Sequence, residues 1–350
     1  MKKLLFPLAI IAISFASCSD DDSMPTPVDP TPVDPTPTPA VELKLFTSSN
    51  TSGAISYTDL LATAPTPKSF SVSSTDSDGI FYDPFKDQVI LASRTNNRVD
   101  AYTGFRNSII TSSTALSLGF SSVSDFTNAR EIAVSSDKVV VTQDQNAGNG
   151  NISKFYVYQR NTSGFTLLNT YTVDIKLWGI HLEGETMYAI ADNTSDLVVY
   201  NNFFANATGT ITASKRVTIE GLVRTHGITY SNQDNVMVLS DVGLASSATD
   251  GGLIVINNFS SVLSATANMG TIAMSNQVRI YGPNSLLGNP VDVAYDHVTN
   301  DIYVAERLNG GGQVLKFAFP TTNGDFAPQT PRNEPGVTAV YSVRRQCVDF

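Results

Sequence analysis

The stretch GIFYDPFKDQVILASRTNNRVDAY, residues 79–102, contains short apolar segments separated by polar turns, and it decides the fold because it returns later in the chain. A similar stretch, DVAYDHVTNDIYVAERLNGGGQVLKF, occupies residues 292–317. Residues 80–94 align onto 293–307 without gaps, which places Tyr82 on Tyr295 and Asp83 on Asp296. The same order of apolar strand, polar turn and second apolar strand recurs at 131–144, 179–192 and 227–241. The pattern predicts a β unit that repeats about every fifty residues.

Each repeat predicts three or four short strands and no helix, which is typical of a propeller blade. The first strands of these blades are predicted to begin at Ile80, Ile132, Ile180, Ile228 and Val293. Weaker fourth strands are predicted, for example at 166–173 and 276–281. Because an isolated blade would expose two faces and two edges, we expect the units to close into a ring.

The two ends of the chain predict one further blade. Residues 337–343, VTAVYSV, have the pattern of an innermost strand, and residues 41–46 and 53–57 have the pattern of a second and a third strand. The sequence therefore predicts an all-β fold over residues 41–350. This fold is a six-bladed β-propeller of four-stranded blades, with the ring closed by N- and C-terminal strands that share one blade. A seven-bladed ring is the alternative, since Ile228 and Val293 are 65 residues apart. We assign the extra residues to Gly- and Ser-rich loops at 242–252 and 282–290.

The first 40 residues predict export and a lipid anchor. Residues 1–17 have a basic start and an apolar run too short to span a bilayer, as in a signal peptide. The segment Phe15-Ala16-Ser17-Cys18 resembles the lipoprotein box, which implies acylation of Cys18; an ordinary secretory leader is the alternative. Residues 18–40 combine an acidic run, 20–22, with a Pro-rich linker, and the acidic run resembles the surface-export tag of Bacteroidota lipoproteins. The resemblance implies an outer-membrane lipoprotein that faces the extracellular side.

Composition excludes several classes of partner. The formal net charge of −10 argues against nucleic acid and anionic membrane surfaces. Cys347 is the only other cysteine, so a mature chain acylated at Cys18 has no intramolecular disulfide. We expect a monomer that is stabilised by packing.

The rhythm GI-x-Y-D-P followed by D-x-(V/I)-x-(V/L)-A resembles that of NHL-type and related six-bladed propellers. Lactonase-like propellers, which share the blade number, hold a divalent metal in their channel. In such folds, the loops between second and third strands and the loops between blades lie on one face, around the channel. Aligned repeats therefore identify the residues of this predicted channel mouth.

Acidic residues recur at the predicted mouth. Asp144, Asp192 and Asp241 end the second strands of three consecutive blades, and Glu131 and Asp292 precede first strands. Oxygen ligands of this kind suit calcium, so these five residues are candidate metal ligands. The alternative is that the aspartates cap turns by hydrogen bonding to the backbone.

Basic and aromatic residues also reach this mouth, and we predict them to bind a polar ligand. They are Arg94, Arg130, Trp178, His226 and Arg307. Trp178 could stack on a sugar or pack between blades. His226 could act as a base, contact an anion or be structural. We expect Arg94, Arg130 and Arg307 to make the mouth mixed in charge.

Two functions of different class follow. The first is a non-enzymatic surface module that binds a glycan, a peptide or a protein at the channel mouth. The second is a calcium-dependent lactonase or hydrolase that uses the aspartates to hold the metal and His226 or Glu131 as the base. The chain has no G-x-S-x-G, H-E-x-x-H or C-x-x-C motif, which favours the binding module.

Overall fold

The computed structural model describes residues 40–347, so the predicted signal peptide, Cys18 and the Pro-rich linker lie outside the described residues. Burial of the Cys347 side chain is not described either. Among the described residues, no helix has both the length and the apolar character needed to cross a membrane.

Six β-sheets form the six predicted blades. The closing blade takes β1 (Ala40–Ser49), β2 (Ala54–Asp59) and β3 (Lys68–Ser71) from the start of the described chain and its innermost strand, β26 (Val337–Cys347), from the end. Blade 1 consists of β4 (Ser77–Asp83), β5 (Gln88–Ser93), β6 (Arg98–Thr103) and β7 (Ser117–Ser121). Blade 2 begins with β8 (Ala129–Ser135), β9 (Lys138–Gln143), β10 (Ser153–Arg160) and β11 (Phe165–Val173). Blade 3 begins with β12 (Leu177–Glu183), β13 (Thr186–Ala191) and β14 (Asp196–Tyr200), and its next strand, β16 (Lys215–Ile219), follows the two-residue strand β15 (Gly209–Thr210) in the chain. The remaining strands are β17 (Thr225–Ser231), β18 (Val236–Asp241), β19 (Gly252–Asn257), β20 (Thr271–Ile272) and β21 (Val278–Tyr281); β22 (Pro290–Asp296), β23 (Asp301–Glu306), β24 (Gln313–Ala318) and β25 (Arg332–Asn333); and β26 (Val337–Cys347).

Short helical segments lie in the connections. Within the described part of the chain they are two α-helices, α1 (Phe105–Ile110) and α2 (Phe259–Ala265), and five 3₁₀ turns at Ala147–Asn149, Phe203–Ala205, Met274–Asn276, Pro283–Ser285 and Asn309–Gly311. The surplus between Ile228 and Val293 is taken up by α2, β20 and loops and not by a seventh blade. The six-bladed prediction is therefore confirmed, and the seven-bladed alternative is wrong.

Two blades depart from the predicted four strands. The two-residue strand β15 pairs in parallel with β11, and β20 pairs in parallel with β16, so each extends the outer edge of the preceding blade. Both strands belong to connections of the following blade, which means that these connections also tie neighbouring blades together. The sequence did not predict them because a two-residue pairing has no periodicity to detect.

The termini close the ring as predicted. Strand β26 runs antiparallel to β1, with Phe46 opposite Tyr341 and Leu45 opposite Ser342. On its other side, β1 pairs with β2, where Phe46 lies opposite Tyr57. Each of the six junctions between adjacent blades, including both junctions of the closing blade, holds its own buried apolar cluster. The core is therefore a ring of interblade packing.

A β-bulge marks the innermost strand of blades 1 to 5. In blade 3, for example, Leu177 pairs with Ala191 and Ile180 with Ala189, so two residues of β12 lie opposite one residue of β13. These five strands consequently begin three residues earlier than predicted, and the residues expected to precede them lie within the strands, at the bulge. A bulge redirects side chains, and here it places polar residues at the axis.

Candidate functional site

Equivalent residues of four consecutive blades contact one another around the axis at the predicted mouth. Asp78 of blade 1 lies 3.9 Å from the Arg130 guanidinium of blade 2. The Arg130 guanidinium lies 4.0 Å from the ring centroid of Trp178 in blade 3. The Trp178 ring in turn stacks on His226 of blade 4, with centroids 3.6 Å apart and planes 5° apart. Trp178 thus packs between its two neighbouring blades, which is the packing role that the sequence left open.

Asp192 gathers three basic side chains on the same face. Its oxygens lie 2.7 Å from Arg224 Nε, 3.0 Å from Lys176 Nζ and 3.1 Å from His226 Nε2. Burial alone would raise the pKa of Asp192, but the hydrogen bonds from His226 and Arg224 outweigh burial and lower the pKa far below its usual value. Asp192 is therefore an ionised anchor for the surrounding cations.

His226 is buried and neutral at physiological pH. It is 3% exposed, and burial lowers its pKa to about 4 in spite of the nearby Asp192. Its Nε2 lies against Asp192, and its Nδ1 is buried with no hydrogen-bond partner among the described residues. A general base must reach the proton that it removes, and neither ring nitrogen of His226 is open to a substrate here.

The remaining predicted arginines surround Asp78. Arg94 lies 3.5 Å from Asp78 and 3.7 Å from Asp76, and the exposed Arg307 contributes to the field at Asp78. Burial nevertheless raises the pKa of Asp78 to about 7, against the opposing charges of these arginines. The five residues predicted to bind a ligand therefore share one face, and four of them (Arg94, Arg130, Trp178 and His226) are in contact with acidic or aromatic partners of this network.

The five predicted calcium ligands do not come together. Asp144 and Asp192 face cations, with Asp144 Oδ2 lying 3.4 Å from Arg130 and 4.0 Å from Lys176. Asp241 accepts hydrogen bonds from the backbone N–H groups of 223, 224 and 243 and from the Tyr281 hydroxyl. Asp241 is thus the turn cap of the alternative interpretation. Within residues 40–347, no three Asp, Glu, His or Cys side chains form a group that could hold a metal ion. The donor set needed for the calcium hypothesis is not assembled there.

The channel is hollow beyond this network. A cavity of about 320 Å³, the axial cavity, is lined by the innermost strands of all six blades. One branched aliphatic side chain from each blade contributes to its wall: Ile80, Ile132, Ile180, Ile228, Val293 and Val340. Among the residues that the structure describes, no Lys or Arg side chain lines this cavity. The cavity is therefore a space on the axis whose wall combines aliphatic side chains with polar and acidic groups.

The axial cavity opens on the face opposite to the predicted mouth. Its buried end is formed by Glu131, Asp292 and the aliphatic ring, whereas Glu183, Tyr295 and Ser342, further along their strands, are half-buried. Those residues approach the turns between first and second strands, a surface that we call the hairpin face. Access to the channel is thus from the hairpin face, and the residues at the predicted mouth close the other end.

Glu131 and Asp292 form the closed end of the axial cavity. Both are buried, at 8% and 7% exposure. Burial, followed by repulsion from Asp292, raises the pKa of Glu131 well above its usual value, and burial raises the pKa of Asp292 to about 8. Since blades 2 and 5 lie three positions apart in a ring of six, the two carboxyl groups approach the axis from opposite sides.

Between the closed end and the hairpin face, the wall of the axial cavity contains aromatic and polar groups. Phe81 and Tyr341 contact each other with ring centroids 4.9 Å apart, and Tyr230 also lines the space. His181 Nδ1 accepts a hydrogen bond from Tyr230 N, while His181 Nε2 has no partner among the described residues. Burial lowers the pKa of His181 to about 4, so this ring is neutral and brings no cation to the cavity.

Several of these groups were absent from the predicted site. Asp78 occupies the same repeat column as Arg130 and Trp178, so the alignment contained a signal for it. His181 and Thr229 each follow the first residue of a predicted strand, and both line the cavity. Reading the same position in every repeat would have identified this part of the cavity wall from the sequence. Lys176 and Arg224 precede the bulge, and nothing in the repeat pattern indicated that both would contact Asp192.

Comparisons with known proteins support the fold. No protein-family model and no curated protein matches the chain. Among solved structures, a chain of a nidogen/laminin complex has a TM-score of 0.58 at 10% identity, over 88% of this chain and 100% of that one. A protein of unknown function from Bacteroides caccae has a TM-score of 0.56 at 8% identity, over 86% and 99%. A putative 6-phosphogluconolactonase from Bacteroides uniformis ATCC 8492 has a TM-score of 0.52 at 12% identity, over 83% and 82%. At such identities the likeness is one of fold alone.

Proposed function

We propose that this chain is a surface-tethered binding module whose propeller takes part of a glycan, peptide or protein ligand into its axial cavity. The observation that carries the proposal is the axial cavity itself. It is closed at one end, half-exposed at the other and lined by every blade. A concave, preformed space in which apolar walls meet a few converging polar groups is a usual form of ligand site.

The proposal places binding at the opposite end of the channel from the sequence-based expectation. The predicted mouth residues are engaged with one another, as Arg130 and His226 both stack on Trp178 and Asp192 holds Arg224 and Lys176. A ligand at that face would have to displace these contacts. A ligand at the hairpin face would enter a space that is already formed.

The site supports binding better than catalysis. The candidate base His226 is buried against Asp192, and the acidic residues do not assemble a metal site in the described chain. Turnover of lactones or esters by the purified protein, in a panel that includes sugar lactones, would contradict a purely binding role.

Arrays of glycans and peptides test the cavity directly. Thr229→Trp and Ser342→Trp each place a large ring into the axial cavity from a half-buried position near its opening. Thr172→Trp, at a half-buried position on the outer strand β11, is the matched control. We expect the wild-type protein and the control to retain the same ligands and both cavity variants to lose them, with melting temperatures showing that all variants are folded. Retention by both cavity variants would contradict binding in the axial cavity.

The surface location rests on residues 1–40 and has a separate test. Cys18→Ser removes the only residue of that segment that could be acylated at a lipoprotein box. We expect the wild-type chain to partition with the outer membrane and to be cleaved by protease added to intact cells. The Cys18→Ser chain should leave the membrane fraction. Equal partitioning of the two chains would contradict the lipid anchor.

A further inference from the structure

Buried carboxyl groups in this propeller are compensated in one of two ways. Eight acidic residues of the described chain that are buried lie within 4 Å of a basic side chain: Asp78, Asp83, Asp100, Asp144, Asp192, Asp296, Asp301 and Glu334. Two others, Asp241 and Glu306, have no such partner but accept hydrogen bonds from three or four backbone N–H groups. Either arrangement replaces the water that an ionised carboxylate loses on burial.

Glu131 and Asp292 are the buried acids with the least compensation. Asp292 accepts hydrogen bonds from Val293 N and Val340 N, and Glu131 accepts one, from Ile132 N. Neither forms an ion pair with a basic side chain of the described residues. The second oxygen of Glu131 has no hydrogen-bond partner in residues 40–347. At the closed end of the axial cavity, the described residues therefore supply no positively charged partner for these two acids.

The walls above these acids suit an alkyl chain that carries a cation. The six aliphatic side chains at the closed end provide apolar contact. Phe81, Tyr230 and Tyr341 add aromatic rings to the lining. Aromatic rings attract ammonium groups, and carboxylates form charge-assisted hydrogen bonds with them. A volume of about 320 Å³ admits a lysine-sized side chain but not a folded segment.

We propose that the closed end of the axial cavity binds an organic ammonium group, with Glu131 and Asp292 as its counter-ions. The inference rests on the proposed binding function and names the chemistry of the ligand. The group belongs to a lysine side chain or to the free amino terminus of a peptide, both of which present an ammonium on a narrow chain.

Calorimetric titration of the full chain with n-butylammonium tests the charge requirement, because this cation reproduces the end of a lysine side chain. 1-Butanol, which has similar size and shape but no charge, is the matched ligand control. We expect butylammonium to bind at least about tenfold more tightly than the alcohol, the ratio given by a hydrogen bond to a charged group. Equal affinities, or binding of neither ligand, would overturn the proposal.

Two peptides identify the source of the ammonium. One carries a single lysine and a blocked amino terminus, and the other has a free amino terminus and no lysine. Binding of either peptide supports the proposal and shows which source fits the cavity. Binding of neither, even if butylammonium binds, would overturn the assignment to peptides.

Glu131→Gln removes the charge and keeps the shape of the least compensated group. We expect it to weaken butylammonium binding at least about tenfold and to leave 1-butanol unaffected. Glu183→Gln, which changes a half-buried acid nearer the opening, is the control and should have a smaller effect. If Thr229→Trp abolishes binding but Glu131→Gln does not change it, the cavity still binds ligand and the proposed function survives, while the ammonium assignment fails.

Discussion

Asp192 and Glu131 are both buried carboxyl groups near the propeller axis, but the pKa of Asp192 is lowered and the pKa of Glu131 is raised. Asp192 contacts Arg224, Lys176 and His226, and these contacts keep it ionised. Glu131 has one backbone donor and faces another acid, Asp292, so burial and the repulsion from Asp292 raise its pKa well above the usual value. The two residues should therefore affect stability with opposite dependence on pH.

Asp192→Asn is expected to destabilise the protein by about 2 kcal/mol at neutral pH, because it weakens hydrogen bonds to charged partners. The pKa of Asp192 is lower in the folded state than in the unfolded state. Its stabilising contribution is therefore present above the unfolded pKa of about 3.9 and is lost as pH falls from there towards the folded pKa. Urea denaturation at a series of pH values should show the difference between wild type and variant shrinking below about pH 4. Asp174→Asn, at an exposed position, is the control and should have little effect at any pH. A difference that is constant with pH would count against this assignment.

Glu131→Gln is expected to stabilise the free protein by about 2 kcal/mol at alkaline pH, since it removes a buried group that resists ionisation. The pKa of Glu131 is higher in the folded state than in the unfolded state. The stability of the wild type relative to the variant is thus greatest below the unfolded pKa of about 4.3 and falls as pH rises towards the folded pKa. Asp78, Asp292, His181 and Glu183 surround the same site and remain unchanged in the comparison. Thermal melts at about pH 4 and about pH 8 should show equal stability at the first and a gain for the variant at the second. A loss of stability at alkaline pH would contradict the description of Glu131.

At the scale of the element, the innermost strands set the distance between blades. The bulges bring glycines of one blade against the backbone of the next: a Cβ at Gly179 would lie 2.1 Å from His226 O, and one at Gly227 would lie 2.7 Å from Asp292 Cα. These contacts are what allow Trp178 and His226 to stack and Asp292 to reach the axis. Small residues at the bulge are therefore part of the site's geometry.

Gly179→Ala is expected to destabilise the protein by at least about 2 kcal/mol, because neither the backbone carbonyl of His226 nor the bulge can move without disturbing two blades. Gly164→Ala is the matched control, since a Cβ there meets no atom within 4 Å. The measurement is the midpoint of urea unfolding for the two variants and the wild type. Equal midpoints for Gly179→Ala and Gly164→Ala would show that the blades have more room at the bulge than the structure indicates.

The repeat in the sequence predicted the innermost strands well, but not their first residues. Ile80, Ile132, Ile180, Ile228 and Val293 all lie in these strands and line the axial cavity. The pattern of alternating apolar residues breaks at the bulge, where two residues face one, and a period of two cannot describe this. The starts of the innermost strands of blades 1 to 5 were for that reason placed three residues too late.

The site was predicted in part. Aligned columns placed Arg130, Trp178 and His226 on one face, and they are in contact there. The aligned repeat positions could not show that these side chains would contact one another. Nor could they show that the opposite end of the channel would be open. Pairing of charges depends on distances across blades, and the partners of Asp192, Lys176 and Arg224, come from connections without a repeat signature.

At the scale of the molecule, charge and shape differ along the axis. The face with the predicted mouth carries Arg94, Arg130, Lys176, Arg224 and Arg307 around its acids, although the chain as a whole has a formal charge of −10. The lining of the axial cavity on the other side, as far as residues 40–347 form it, has acids and no Lys or Arg. The proposed ammonium site depends on this difference, and closure of the ring is what keeps these two environments apart.

Both the axial cavity and the packing of the two neighbouring blades depend on the closing blade. Strand β26 supplies Val340, Tyr341 and Ser342 to the axial cavity, and Val340 N donates to Asp292. The same strand packs against both of its neighbouring blades through separate apolar clusters. A ring that lost this strand would leave β1 with an unpaired inner edge, uncover apolar clusters shared with both neighbouring blades and lose one wall of the cavity.

Unfolding of a chain that lacks residues 337–350 tests this closure most directly. Circular dichroism and tryptophan fluorescence, the latter reporting on Trp178 across the ring from the deletion, should follow one cooperative transition in the wild type. We predict that the shortened chain shows no cooperative transition by either probe. A shortened chain that unfolds in a single transition close to that of the wild type would contradict a propeller closed by its two termini.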